Sequence, residues 1–166
     1  RRSSDLDHLN RIRVCNNFNP RYGGRPIIYE NYCGEKIDWK EFFEIKRKMR
    51  RKFRENSCVD LCRECVNTAF KNWDDEDYID YLLLTPWVPC NSNCIYCSAP
   101  RDEYVLKNTK VYKVLPLIQD MIKNNILKKD GTIDFAGGEP VIYSEFEALL
   151  SEFVNNDFQK IVIHTN

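Results

Sequence analysis

The chain has 166 residues, and 25 lysines and arginines balance 25 aspartates and glutamates. This balance gives no support to a nucleic-acid binder or to a membrane-surface binder. With 43% hydrophobic residues the chain can bury a core, while no apolar run is long enough to cross a bilayer, which excludes a transmembrane protein. The sequence starts without Met and shows no secretory signal. We therefore expect a trimmed fragment of a cytoplasmic protein.

An amphipathic helix is predicted over residues 38–56. Its apolar residues recur at helical spacing: Phe42, Ile45, Met49 and Phe53. Asp38 and Glu41 resemble a capping box at its start. The other face is basic and carries Lys46, Arg47, Lys48, Arg50, Arg51, Lys52 and Arg54. A basic face can bind nucleic acid, but an acidic run over residues 74–80 balances the charge, so we interpret this face as a solvated surface with no nucleic-acid partner.

Beyond the acidic run, predicted strands alternate with predicted helices. Strands are expected over residues 78–85, 132–135 and 160–165. The first strand precedes Thr85-Pro86-Trp87-Val88-Pro89, where two prolines end the ladder and Trp87 is assigned to core packing. This alternation is typical of an α/β fold with a parallel sheet or barrel.

The two predicted helices have recognisable starts. The first has an apolar stripe of Val111, Val114, Leu115, Ile118, Met121, Ile122 and Ile126. Pro116 predicts that this helix starts or kinks there, and Asp130-Gly131 predicts a turn before the second strand. Ser144-x-x-Glu147 predicts the cap of the second helix.

A boundary between two regions is predicted near residues 70–77. Residues 1–77 form a small, cysteine-rich, partly helical region. Residues 78–166 are enough for about three βα units, whereas an eight-unit barrel takes about 250 residues. If the fold is a barrel, we therefore expect the rest of it to be missing from this chain.

Cysteine is the outlying residue type, with eight in the chain. Grouped cysteines in a reducing compartment bind metal more often than they form disulfides. Cys90-x3-Cys94-x2-Cys97 places three thiols on one loop after a predicted strand. Three thiolates can hold three corners of a [4Fe–4S] cube and leave the fourth iron open to a ligand. Zinc also binds thiolates tetrahedrally, so spacing alone leaves both metals open.

A second signal follows the second predicted strand, where the sequence reads Gly137-Gly138-Glu139-Pro140. Glycines let the backbone approach a ligand closely, and Glu139 can accept hydrogen bonds from an amino group. Taken alone, this segment is equally typical of an ordinary strand-to-helix loop.

Together, the two motifs resemble the radical S-adenosylmethionine (SAM) superfamily over residues 78–166. The resemblance includes Tyr96, the aromatic residue before the last cysteine of the triplet. It implies the first half of a partial (β/α)6 barrel, truncated here, with a [4Fe–4S] cluster on Cys90, Cys94 and Cys97. It also implies that the amino and carboxylate groups of SAM chelate the open iron.

The same resemblance implies the rest of the site and the reaction. Tyr96 lies near the adenine of SAM, and Gly137, Gly138, Glu139 and Pro140 contact the methionine amino group. One-electron reduction cleaves SAM to methionine and a 5′-deoxyadenosyl radical, which abstracts hydrogen from an unknown small-molecule or peptide substrate. A reductant such as flavodoxin or ferredoxin supplies the electron. The resemblance identifies no catalytic residue other than the cluster ligands. Because the rest of the barrel is expected to be missing, activity is expected of the longer protein and not of this chain alone.

The N-terminal cysteines resemble part of a SPASM or twitch auxiliary-cluster domain, although those domains usually follow the barrel. The triplet spacing recurs here as Cys58-x3-Cys62-x2-Cys65. A second [4Fe–4S] cluster takes up to four thiolates. The resemblance favours Cys15, Cys58, Cys62 and Cys65 as its ligands and leaves Cys33 spare.

Two other functions fit the cysteines less well. A non-catalytic zinc module would fix a binding surface, with the basic helix meeting a partner. A thiol redox sensor needs exposed cysteines of low pKa. Neither requires the motif over residues 137–140. The third predicted strand closes on His164, Thr165 and Asn166, where barrel side chains meet substrate or cofactor; His164 is equally well a hydrogen-bonded strand-end residue. His8 is expected at the surface.

Overall fold

The computed structural model describes residues 3–7, 12–13, 27–29, 36–54, 77–85, 90, 92 and 113–165. Among these residues there are six strands, namely β1 Ser3–Asp7, β2 Ile12–Arg13, β3 Ile27–Tyr29, β4 Ile79–Thr85, β5 Leu127–Phe135 and β6 Lys160–Ile163. Three α-helices accompany them, namely α1 Trp39–Arg54, α2 Leu115–Lys123 and α3 Phe146–Asn155. A 3-10 turn spans Pro140–Ile142. Within these ranges no helix is long and apolar enough to cross a membrane.

The six strands form one sheet in the order β3-β2-β1-β4-β5-β6. β4, β5 and β6 run parallel and are joined by α2 and α3, which confirms the predicted α/β alternation. β1 also pairs in parallel with β4, while β2 pairs antiparallel with its two neighbours. Backbone pairing between β1 and β4 therefore crosses the boundary predicted near residues 70–77, and the division into two regions stays a prediction.

One face of the parallel strands packs against the helices. In register, Leu82 pairs with Ile133 and Leu84 with Phe135, and all four side chains are buried. The ring of Phe135 meets Phe146 and Phe153 of α3 edge-on, at centroid distances of 5.4 and 6.0 Å. These contacts make the helix-facing side of the sheet the centre of the core.

α1 begins where the sequence predicts. The Asp38 side chain accepts hydrogen bonds from the Lys40 and Glu41 backbone N–H groups at 2.9 and 3.1 Å, which caps the helix. The assignment of Lys46 to the solvated basic face is wrong, because the residue is only 2% exposed. Its ammonium lies 5.4 Å from the ring centroid of Phe42, one turn earlier, so a cation–π contact accompanies the burial of its aliphatic stem.

Glu145 caps α2 from a distant part of the chain. Its Oε2 accepts hydrogen bonds from the backbone N–H groups of Val114 and Leu115 at 2.7 and 3.3 Å. The Tyr143 hydroxyl donates to the same oxygen at 2.9 Å. Pro116 lies in the first turn of α2, so the helix starts there and does not kink. A carboxylate thus satisfies N–H groups that the helix itself leaves without partners.

The capping box predicted at Ser144-x-x-Glu147 is wrong. The N-cap of α3 is Glu145, and no side-chain hydrogen bond caps that helix. Since the Glu145 carboxylate is already engaged with α2, the residue at the α3 N-cap position serves the neighbouring helix.

The chain reversal predicted at Asp130-Gly131 is also wrong, because both residues lie within β5. The β4–β5 register jumps from the pair Ile79–Leu127 to the pair Tyr81–Thr132, so β5 carries extra residues in a bulge. A Cβ atom on Gly131 would lie 2.7 Å from the carbonyl oxygen of Asp80. Position 131 therefore requires glycine, because the β4 backbone lies too close for a side chain. This explains why the sequence Asp-Gly, which is typical of turns, occurs inside a strand.

Candidate functional site at the carboxyl ends of the parallel strands

Three loops leave the sheet at the same edge. Cys90 follows the end of β4, Gly137 follows β5, and His164 follows β6. The ladder extends slightly beyond the strands, since the Ala136 N–H donates to the Leu84 carbonyl at 3.0 Å and the His164 N–H to the Phe135 carbonyl at 2.9 Å. Because the carboxyl ends of parallel strands lie together, this edge collects the residues that α/β folds use for binding and chemistry.

The turn after β5 has backbone φ angles that residues with a side chain rarely adopt. Gly137 and Gly138 have φ angles of +81° and +59°, in the left-handed region that glycine adopts without steric penalty. A Cβ atom on Gly137 would lie 3.4 Å from the Thr85 side chain at the end of β4. The turn therefore lies against the strand that leads to the Cys90 loop, with its backbone uncovered by any side chain of its own.

The buried side chain of Glu139 stabilises this turn through hydrogen bonds. The residue is 2% exposed, and its Oε1 accepts hydrogen bonds from the Thr165 hydroxyl at 2.6 Å and from the Val141 N–H at 3.5 Å. It is also the N-cap of the 3-10 turn that begins at the buried Pro140. The carboxylate thus ties the β5 loop to the end of β6. A contact between Glu139 and a ligand amino group stays a prediction.

Cys90 is the cysteine that the structure describes, and it is exposed. Its Sγ accepts a hydrogen bond from the Ser92 N–H at 3.4 Å. The other predicted metal ligands lie outside the described residues: Cys15, Cys58, Cys62, Cys65, Cys94 and Cys97. The predicted adenine contact Tyr96, the spare Cys33 and Trp87 also lie outside them. Across the described part of the chain, no three His, Cys, Asp or Glu side chains gather as a metal site. The proposed metal ligand sets therefore stay predictions.

Asp134 and Tyr81, which the sequence analysis did not single out, connect β5 and β4 to His164 at the end of β6. Asp134 of β5 is 6% exposed, and its Oδ2 accepts a hydrogen bond from the Tyr81 hydroxyl of β4. Its Oδ1 lies 3.1 Å from Nε2 of His164, whose side chain is 62% exposed. The available signal was an aspartate between Ile133 and Phe135 in an otherwise apolar strand, because a buried carboxylate requires partners.

The contact between Asp134 and His164 is close but not aligned. Oδ1 of Asp134 has no hydrogen-bond partner within the described ranges, although the imidazole nitrogen is within ion-pair distance. A buried oxygen without a hydrogen bond is energetically unfavourable, by about 1–3 kcal/mol. The carboxylate therefore keeps one unused acceptor position directed toward an exposed imidazole.

Tyr143 lies on the helix side of the same edge. Burial raises the pKa of its hydroxyl above the usual range, and the hydrogen bond to the Glu145 carboxylate raises it further. The protonated hydroxyl is thus favoured in the folded state, which suits a structural donor.

The edge as a whole offers an exposed thiol, a left-handed glycine turn and an acid–base pair. Thiolate is a soft ligand that suits iron–sulfur clusters and zinc, and uncovered backbone suits close approach by a ligand. The chain matches no protein-family model, and no curated protein or solved structure was found to match it.

Proposed function

We propose that the chain is part of a radical SAM enzyme. One observation carries the proposal: the exposed Cys90 and the left-handed Gly137-Gly138 turn follow neighbouring parallel strands and leave the sheet at one edge. Cys90, Cys94 and Cys97 would hold a [4Fe–4S] cluster with one iron open. When bound, the cluster supplies the electron that splits SAM into methionine and a 5′-deoxyadenosyl radical.

The donor set fits such a group. Three cysteines lie within eight residues of the sequence and would supply three thiolates, and the first of them follows the end of β4 in the chain. The free thiol of Cys90 is exposed and is not in a disulfide. These properties suit a cluster that must bind a second ligand, which a fully buried site would exclude.

The residues after β5 would bind the amino-acid part of SAM. The Gly137 backbone lies against Thr85, and the Gly137-Gly138 turn would approach the methionine amino group closely, with Glu139 and Pro140 beside it. Glu139 fixes the turn through Thr165 and Val141. Tyr96, one residue before Cys97, would contact the adenine.

The sheet supports a barrel assignment for residues 78–166. β4, β5 and β6 follow one another in space as they do in sequence, all parallel, with a helix in each connection. A partial (β/α)6 barrel starts in this way, and the three strands would be its first three. The N-terminal cysteines Cys15, Cys58, Cys62 and Cys65 would hold a second cluster, and a flavodoxin or ferredoxin in the cytoplasm would supply electrons.

The test is formation of 5′-deoxyadenosine from SAM and dithionite by oxygen-free protein in the longest chain that folds. Cys90→Ala should abolish the product, because the cluster loses one of three thiolates. Cys33→Ala is the matched control, since Cys33 belongs to neither proposed ligand set, and it should leave the yield unchanged. Retention of full product formation by Cys90→Ala would overturn the proposal.

A further inference from the structure

We propose that Tyr81, Asp134 and His164 form a proton-accepting site for a substrate bound over the sheet face that points away from the helices. Asp134 would hold the Nε2–H of His164, and Nδ1 would accept a proton from a substrate hydroxyl or ammonium group. That a substrate binds at this face rests on the proposed function. The arrangement of the three residues is independent of it.

The strand register puts the three residues on one face. Asp134 pairs with Leu83 and Val162, whereas its neighbours Ile133 and Phe135 are buried toward the helices. Successive residues of a strand point to opposite faces. Asp134 therefore belongs to the face opposite the core, and its contacts with Tyr81 and His164 run across the three neighbouring strands.

The arrangement has the parts of an oriented base. The imidazole is 62% exposed and can meet a ligand. The carboxylate that would orient it is 6% exposed and is fixed on its other oxygen by the Tyr81 hydroxyl. A buried carboxylate that orients a histidine and stabilises its charged form is a recurrent way to make the histidine a general base.

The unused acceptor of Asp134 is the observation that separates this site from an ordinary surface ion pair. Oδ1 has no hydrogen bond from any described residue, yet Nε2 is 3.1 Å away. A small rotation of the ring would place Nε2–H on that oxygen. Catalytic hydrogen bonds are often poorly aligned before the ligand binds and tighten in the complex.

The proton balance of the step is simple. The lone pair of Nδ1 takes the proton from an O–H or N–H group of the substrate, whose electron pair stays on that oxygen or nitrogen. His164 becomes an imidazolium whose Nε2–H faces the Asp134 carboxylate. The exposed imidazolium then releases this proton to water. No oxidant or reductant is consumed.

The experiment uses diethylpyrocarbonate, which reacts at the unprotonated ring nitrogen. A bond forms between that nitrogen and an ethoxycarbonyl group, ethanol and carbon dioxide leave, and NMR identifies the nitrogen modified. The chain has two histidines, so His8 is an internal control. In the full chain we expect His164 to be modified at Nδ1 with about a tenfold preference over Nε2, as expected where a charged acceptor holds Nε2–H.

Asp134→Asn should lower this preference to the ratio shown by His8, because the acceptor charge is gone while the side-chain volume stays. Tyr81→Phe should lower it less and serves as the second variant if Asp134→Asn does not fold. Modification of His164 mainly at Nε2, or an unchanged ratio in Asp134→Asn, would overturn the inference. Iron content is measured on the same samples, so a chain without iron contradicts the proposed function while the modification ratio still decides this inference.

Discussion

The two faces of the β4–β6 sheet use the same strands for different purposes. On the helix side, Leu84 and Phe135 are fully buried, and the Phe135 ring packs against two aromatic rings of α3. On the other side, Asp134 and His164 form a polar contact near exposed surface. Each face takes alternate residues of a strand, so a sequence can change its polar site while the core residues stay the same.

A similar contrast holds between two carboxylates, the half-buried Glu145 and the buried Asp134. Oε2 of Glu145 accepts from two backbone N–H groups and from the Tyr143 hydroxyl. Oδ1 of Asp134 has no hydrogen bond among the described residues. A fully satisfied carboxylate stabilises a fold, whereas an incompletely satisfied one reduces stability and is retained where it has another use.

Shortening Phe135 should have the largest effect on stability. Phe135→Ala leaves a cavity among α3 rings and should lower the free energy of unfolding by about 3–5 kcal/mol. Val162→Ala on the opposite face removes a side chain that is 39% exposed and should cost about 1 kcal/mol or less. Urea unfolding of both variants measures the difference. Equal losses of unfolding free energy would contradict the view that the helix-packed face of the sheet stabilises the fold more than the opposite face does.

Removing the satisfied carboxylate should come next. Glu145→Ala leaves the N–H groups of Val114 and Leu115 without their partner and should lower the free energy of unfolding by about 1.5–3 kcal/mol. Glu147→Ala, which removes an exposed carboxylate in the first turn of α3, should cost about 0.5 kcal/mol. Denaturant unfolding of the pair tests this, and a loss in Glu145→Ala no larger than in the control would show that the α2 cap is not stabilising.

Neutralising the incompletely satisfied carboxylate should have the opposite sign. Asp134→Asn removes a buried charge with an unused acceptor, so the free energy of unfolding should rise by about 1 kcal/mol. Thermal and urea unfolding at neutral pH measure this gain. A loss as large as that of Glu145→Ala would mean that Asp134 is structural, and the contrast between the two carboxylates would be wrong.

Replacing Tyr143 should have an effect on stability at neutral pH no larger than that of Asp134→Asn, and a distinct effect at high pH. Tyr143→Phe removes the hydrogen bond to Glu145 and should cost about 1 kcal/mol. Because the folded-state pKa is raised, the unfolded chain loses this proton first, and stability should fall as the pH rises above about 10. Unfolding measured from pH 7 to 11 should show a shallower fall in Tyr143→Phe, and identical slopes would contradict the role assigned to this hydroxyl.

Local signals in the sequence predicted most of the local structure. The apolar spacing of α1 and its Asp38 cap, the start of α2 at Pro116 and the three parallel strands all depend on residues close together in the chain. The third strand ends at Ile163, two residues earlier than predicted.

The features that sequence reasoning missed depend on distant residues. Glu145 and Val114 are 31 positions apart, and a capping pattern near Ser144 could not reveal which helix is capped. Lys46 is buried because two aromatic rings lie beside its ammonium, at 5.4 and 6.0 Å. The contact between Asp134 and His164 depends on the parallel register of β5 and β6. Each needs the tertiary structure to bring its partners together.

The central claim is that the Cys90 triplet holds a [4Fe–4S] cluster, and iron and sulfide content of oxygen-free protein tests it most directly. With low-temperature EPR after reduction, the account predicts at least about four irons and four sulfides per chain, which is the content of the Cys90 cluster. About eight of each would mean that the N-terminal cysteines hold a second cluster. Cys90→Ala should lose the iron of the first cluster, and Cys33→Ala should keep all of it. Stoichiometric zinc with no iron after attempted cluster reconstitution would contradict the claim.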